Sequence, residues 1–270
     1  MAFYGCEFCF DGVPCTEYGL MIYHFGSNAQ SDISFQTGDI QEERINGRYD
    51  SILYGVSQNK ALEYTLVFGA NMESIDANRS LDRYEVEAVA AWLTGHTERK
   101  WLSISQDDME SFRYKCLITD LKLITYGDYP WAFSCTVSCD SPFAYTFPEV
   151  YSVYICNGEV EYNLFNRSTY NGYYKPRIEI ETYGNCSISI KNNSDSGREF
   201  VLSNIQTGDP LTITIDNKNQ IITSNDCSNM YPNFNCSFFR LVRGDNHLSI
   251  TSDGEATIRF VCEFPVSIGA

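Results

Sequence analysis

The sequence predicts a mainly β protein built from two successive domains, on three observations. Apolar and polar residues alternate with period two over most of the chain. Asn-Gly and Asp-Gly dipeptides, which accept the positive φ of tight turns, separate the alternating runs. One window alone has helical spacing. At 270 residues the chain is long for one ordinary domain, so two cores of moderate size are expected.

The elements follow in chain order. The segment around Cys6-Glu7-Phe8-Cys9 reads as a strand. In Leu62-Glu63-Tyr64-Thr65-Leu66-Val67-Phe68 every second residue from Leu62 forms an apolar face, the mark of a half-buried strand. From Leu81 to Leu93, Leu81, Tyr84, Ala88, Ala91 and Trp92 recur at helical spacing, with Ser80 or Asp82 able to cap the start and Gly95 after the end. Tyr84 and Trp92 are expected to form the packing face of this amphipathic helix. Strands are then expected over Trp101 to Ser105, Tyr114 to Leu123 and Phe133 to Cys139. The second half adds Arg177 to Glu181, Cys186 to Lys191, Leu211 to Asp216, Phe238 to Val242, His247 to Thr251 and Thr257 to Glu263. Turns are expected at Asn46-Gly47, Asn157-Gly158, Asn171-Gly172 and Asp253-Gly254.

A boundary is expected within Ser141-Pro142-Phe143-Ala144-Tyr145-Thr146-Phe147-Pro148, where two prolines follow a strong strand. This divides the chain into residues 1–145 and 146–270. The first part holds 10 basic and 21 acidic side chains (−11), the second 9 and 14 (−5). The second part has no helical window and reads as a β-sandwich.

A net charge of −16 argues against an electrostatic grip on nucleic acid or anionic lipid, which depends on Lys and Arg. Apolar runs of about seven residues fall short of the ~20 of a spanning helix, so no membrane insertion is expected. No basic segment with an apolar run opens the chain, so folding in a cytosol is expected. Eleven cysteines, an odd count without an export signal, are read as reduced thiols. Asn166-Arg167-Ser168 and Asn192-Asn193-Ser194 fit the glycosylation pattern but carry no meaning without export.

Catalytic patterns are missing. Phosphate-binding loop, nucleophile elbow and H-E-x-x-H pair are absent, and His24, His96 and His247 lie in unrelated contexts. Cys6 and Cys9 have a metal-like spacing but no second pair follows, and strand positions three apart face opposite ways. Asp107-Asp108-Met109-Glu110 and Asn192 to Gly197 lack the ligand order of a calcium loop and read as solvated hairpin tips. Carboxylate pairs among 35 acidic residues carry no specificity. No catalytic residue, metal or cofactor is therefore assigned. Tyr151, Tyr154, Tyr162, Tyr170, Tyr173 and Tyr174 cluster, a composition suited to an interface or a sugar-binding surface.

The order of features nevertheless resembles a known family. Phe8-Cys9-Phe10-Asp11-Gly12 leads into Tyr18-Gly19-Leu20-Met21-Ile22. A polar stretch from Thr37 to Lys60 precedes the Leu62 strand, the helix ends in Ala91-Trp92-Leu93, and the half closes on Cys139-Asp140-Ser141-Pro142-Phe143-Ala144. Lys175-Pro176-Arg177-Ile178-Glu179-Ile180, Cys186-Ser187-Ile188-Ser189-Ile190 and Leu241-Val242-Arg243-Gly244-Asp245-Asn246 continue the pattern. This chain resembles the distal tail protein (Dit) family of long, non-contractile-tailed bacteriophages.

The resemblance implies a tail-tube-like β-sandwich with one flanking helix and a hairpin arm over residues 1–145, and a galectin-like β-sandwich over residues 146–270. It implies a homo-hexameric ring at the virion tail tip, or baseplate, assembled in the bacterial cytoplasm. The partners would be the tail-tube protein, the tail-tip hub protein and, as in many relatives, receptor-binding proteins, around a channel for DNA. The segment Gln36 to Lys60 sets Glu42, Glu43, Arg44 and Arg48 beside Ile45, Tyr49, Ile52, Leu53 and Tyr54, a mixture suited to an intersubunit arm, with a surface loop as the plain alternative. Two rival readings are a carbohydrate-binding adhesion module, from the Tyr-rich second half, and a cell-wall hydrolase, against which the missing catalytic site counts.

Overall fold

The computed structural model describes residues 7–26, 39–57, 60–70, 80–106, 111–206 and 210–267. Two compact units meet in sequence between Tyr145 and Thr146. The first contains β1 (Glu7–Phe10), β2 (Val13–Pro14), β3 (Leu20–Gly26), β4 (Asp39–Glu43), β5 (Ile52–Ser57), β6 (Glu63–Ala70), α1 (Arg83–Thr94), β7 (Lys100–Ser105), β8 (Phe112–Tyr126) and β9 (Tyr129–Cys139). A short β10 (Ala144–Thr146) spans the junction. The second unit contains β11 (Glu149–Asn166), β12 (Arg177–Thr182), β13 (Cys186–Asn192), β14 (Arg198–Ile205), β15 (Leu211–Asp216), β16 (Ile221–Ser224), β17 (Gly244–Cys262) and β18 (Pro265–Val266). The protein is mainly β with a single α-helix among the described residues, as the alternation predicts.

In the first unit the strand order is β2-β1-β7-β8-β9-β6-β3, one sheet that rolls over itself. β1 and β6 are four strand positions apart, about 19 Å in a flat sheet at ~4.8 Å per strand. Yet Phe8 and Phe68 meet with ring centroids 5.2 Å apart, and Phe25 of β3 approaches Tyr114 of β8 at 6.0 Å. The inward residues Phe8, Phe10, Tyr64, Leu66, Phe68, Leu102 and Tyr114 are buried, and their burial drives the roll.

The helix starts on a capping box. Asp82 Oδ1 accepts from Glu85 N at 2.8 Å, and Glu85 Oε2 accepts from Asp82 N at 2.9 Å. Its packing face differs from the expected one. Val89 and Leu93 are buried and Trp92 is half-buried, whereas Tyr84 is 80% exposed. Tyr84 sits in the first turn, while the buried positions Val89 and Leu93 and the half-buried Trp92 lie in the second half of the helix. There Trp92 stacks on Phe8 at 5.6 Å and Tyr18 at 4.8 Å, and its Nε1 donates to Phe10 O at 3.2 Å.

The second unit is built on one long ribbon. β11 pairs with β17 over nearly their whole lengths. The other edge of β17 pairs first with β13, from Leu248 to Ser252, and then with β12, from Ala256 to Val261. β13 continues to β14, and β12 to β15 and β16, so the ribbon contributes to both layers. The two layers close on a core rich in isoleucine, including Ile178, Ile180, Ile188, Ile190, Ile213, Ile215, Ile250 and Ile258.

The bend in the ribbon falls where two hairpin turns are expected from sequence. Asn157-Gly158 and Asp253-Gly254 lie inside β11 and β17, facing each other, and the register shifts between Cys156 and Gly158. The bulge turns the pair from one layer to the other, as at the corners of packed sheets. Asn157 has φ 45° and Gly158 φ 158°. Ser252 and Gly254 exchange hydrogen bonds, Oγ to O at 3.0 Å and N to Oγ at 3.2 Å, which fixes the corner.

Phe238 to Val242 is not a strand. Its backbone is held by side-chain amides: Asn217 Oδ1 accepts from Phe239 N at 2.8 Å, Asn192 Nδ2 donates to Arg240 O at 3.1 Å, and Asn246 Oδ1 accepts from Val242 N at 2.9 Å. The three asparagines are fully buried, and they satisfy polar backbone that would be costly to bury unpaired.

Candidate subunit interface

β4 and β5 form a two-stranded sheet of their own, hydrogen-bonded to no other strand among the described residues. Asp39 pairs with Ser57, Ile40 with Val56, Gln41 with Gly55, Glu42 with Leu53 and Glu43 with Ile52, with a bulge between Gln41 and Glu42. Asn46 and Gly47 (φ 93°) turn the chain at the tip, where Arg48 N donates to Ile45 O at 3.2 Å. Polar contacts tie the ribbon together: Tyr54 OH donates to Glu43 Oε2 at 2.7 Å, Ser51 Oγ donates to Glu42 Oε2 at 2.7 Å, and Arg48 pairs with Asp50 at 3.2 Å. The bond to Glu43 pushes the Tyr54 hydroxyl pKa up.

All nine residues expected in the arm lie on this hairpin. Glu42 and Glu43 are on β4, Ile52, Leu53 and Tyr54 on β5, and Arg44, Ile45, Arg48 and Tyr49 in the connecting tip. Ile52 is half-buried and the other eight are exposed, Tyr49 at 97% and Leu53 at 62%. Sequence reasoning missed Ile40, 66% exposed, and Val56, which face each other across the ribbon. Their alternation with Gln41 and Gly55 was the available signal. Residues 36–38 and 58–59 of the expected arm lie outside the described residues.

A lone two-stranded hairpin is at best marginally stable in water, because it has no second layer to cover its side chains. This one presents six exposed large apolar residues, Ile40, Ile45, Tyr49, Leu53, Tyr54 and Val56, and among the described residues no third strand pairs with either edge. Such a surface gains free energy by burial against another surface.

The other sequence candidates are dispersed. His24 lies on β3; His96 Nε2 donates to Trp92 O at 2.8 Å, and His247 Nδ1 meets Asn163 Oδ1 at 2.6 Å. Cys6 and residues 107–110 lie outside the described residues. The segment Asn192 to Gly197 is not a solvated tip throughout. Asn192 and Asp195 are buried, and Asp195 takes a bidentate grip from Arg240 at 2.6 and 3.1 Å. Among the described residues no group of three or more His, Cys, Asp or Glu could hold a metal ion. The tyrosine cluster divides: Tyr174 OH accepts from Glu263 N at 2.6 Å, Tyr151 and Tyr162 pack on the core, and Tyr173 stacks on Arg240 at 3.5 Å.

Comparison with known proteins places both units. Residues 3–141 match a family model described as phage tail protein N-terminal domain, and residues 143–262 match one described as phage tail C-terminal domain. Among solved structures the chain is similar to the Dit (gp 19.1) protein of phage SPP1, described as a paradigm of hub adsorption apparatus in phages infecting Gram-positive hosts. That match has a TM-score of 0.67 at 12% identity and covers 96% of this chain and 98% of that one. The baseplate of phage p2 in its activated conformation gives a TM-score of 0.47 at 13% identity, with 90% of each chain covered. No curated protein matches. At 12% identity the first likeness is one of fold.

Proposed function

This chain belongs to the family of phage tail proteins whose N-terminal and C-terminal domains its two halves match, and we propose that it is a distal-tail hub. In this reading six copies close into a ring that joins the tail tube to the tip proteins and leaves a channel for DNA. The protein works by assembly and not by catalysis. Its place is the tail tip of the virion.

The hairpin carries this reading. A closed ring needs two different, complementary surfaces on each subunit, and in this reading the β4·β5 ribbon supplies one of them: exposed apolar side chains on a sheet that no other described strand joins. The rolled sheet, with strands tied by β8·β9 and β6·β9 ladders, is then the body that the arm links to its neighbour. The full-length likeness in fold to a hub protein supports the same assignment.

Deletion of residues 42–54 tests it. The shortened protein is expected to keep its cooperative unfolding transition and its aromatic circular dichroism while losing the ring in native mass spectrometry. Rings of unchanged subunit number after the deletion would overturn the assignment of the hairpin as the ring contact.

A further inference from the structure

One face of the first unit has a character opposite to that of the hairpin. On the β7·β8 pair, Leu102 and Tyr114 point into the core, so the alternate residues Trp101, Arg113 and Lys115 lie on the outer face. Trp101 is directly opposite Lys115 in the ladder. The Arg113 guanidinium lies over the indole with Cζ 3.7 Å from the ring centroid, and Lys115 Nζ is 5.7 Å from it. Tyr145 meets the same ring edge-on at 5.6 Å. Arg99, immediately before β7, is exposed, as is Lys115. Arg99, Arg113 and Lys115 are three of the ten basic residues of the first half; Lys100, opposite Cys116 in the ladder, falls on the other face and pairs with Asp11 at 3.2 Å. The nearby carboxylate of Asp140 is engaged by Tyr145 OH at 3.1 Å.

The hairpin has the complementary set. Asp39, Glu42 and Glu43 line β4, beside exposed Ile40, Leu53, Tyr54 and Val56. Opposed charges fix orientation and partner, and a large aromatic ring at the centre of a contact anchors it. We propose that the hairpin of one copy seats on the outer β7·β8 face of the next copy. The β4 carboxylates then stand against Lys115 and Arg99, and the apolar side chains cover Trp101. The two surfaces differ and belong to one chain, which is the heterologous arrangement that closes rings. This inference rests on the ring-arm reading of the hairpin and adds its seat.

Light and nitrogen-15-labelled full-length chains, mixed at high salt and returned to low salt, are treated with a carbodiimide, which joins a carboxylate to a lysine amine with loss of water. The expected products are light–heavy crosslinks from Glu42 or Glu43 to Lys115. Crosslinks confined to chains of one label, or their absence, would overturn the seat. A charge-reversed protein, Arg99→Glu with Lys115→Glu, is expected to lose the oligomer, and adding Glu42→Lys with Glu43→Lys is expected to restore it. An oligomer lost on deleting residues 42–54 but retained after reversal of Arg99 and Lys115 contradicts the seat alone; one that survives the deletion contradicts the arm itself. Should charge reversal unfold the chain, the crosslinks of the unaltered protein decide the question.

Discussion

Cys15, Cys116, Cys135, Cys139, Cys186 and Cys262 are buried and unbridged, whereas Cys156, Cys227 and Cys236 are exposed. Burial penalises the thiolate and raises the pKa of Cys135 and Cys262 from an ordinary 9.0 to about 12. Cys139 reaches about 12 by burial with a smaller push from Asp140. Thiolate is the reactive form, so a maleimide at pH 7.5 is expected to label Cys156, Cys227 and Cys236 in the folded protein and to spare these three buried thiols, as read by peptide mass mapping. Rapid labelling of Cys135 would contradict the packing. The same shifts set a pH dependence. Between about pH 9 and 12 the unfolded thiols have lost protons that the folded ones retain, so stability is full below 9 and falls as pH rises, each thiol withdrawing up to about 1.4 kcal/mol per pH unit. Urea midpoints measured at pH 8 and pH 10.5 should show that decline, and equal midpoints would contradict it. The burial of Cys135 and Cys139 was legible from their place in apolar alternation. The exposure of Tyr84 was not, because helical spacing marks a stripe and tertiary contact decides which part of it is covered.

The elements divide along the same line between local and long-range causes. The helix was readable with its cap because the Asp82–Glu85 box is a local device. Replacing Asp82 with Ala should cost about 1 kcal/mol of stability in chemical denaturation of the first unit. The strands β7, β12, β13 and β15 follow period-two alternation and were readable to within a residue or two. The corner of the β11·β17 ribbon was not. Asn157-Gly158 and Asp253-Gly254 have the composition of turns, and only long-range pairing makes them a bulge. At Gly254 an added Cβ would stand 2.7 Å from Cys186 Cβ and 2.9 Å from Asn185 O. Gly254→Ala is therefore expected to lower the stability of the second unit by about 1–3 kcal/mol, as overpacking does, and an unchanged melting temperature would show that the corner can yield. Phe238 to Val242 reads as a strand from its apolar content, but its backbone is taken up by the side chains of Asn217, Asn192 and Asn246 and by a single bridge from Leu241 to Tyr174.

At the scale of the molecule, the mixed charge and apolar content of residues 36–60 suggested an arm, the family resemblance suggested a hairpin, and among the described residues no other strand pairs with that hairpin. The seat on Trp101 was hidden because it depends on the pairing of Trp101 with Lys115 across two strands. Each unit has its own buried residues, so a fragment of residues 1–145 is expected to fold and to form the ring, and an unfolded or aggregated fragment would mean that the units depend on each other. The first half carries −11 of the −16 charge. Six copies around a channel would repel DNA within roughly the 8–10 Å Debye length of physiological salt, so duplex DNA should not bind even at low ionic strength, whereas tight binding there would remove the idea of a non-adhesive channel. Negative-stain microscopy of the purified full-length protein tests the central claim most directly. A ring of six subunits around an open centre is the predicted result, and compact single-copy particles at every concentration tried would contradict it.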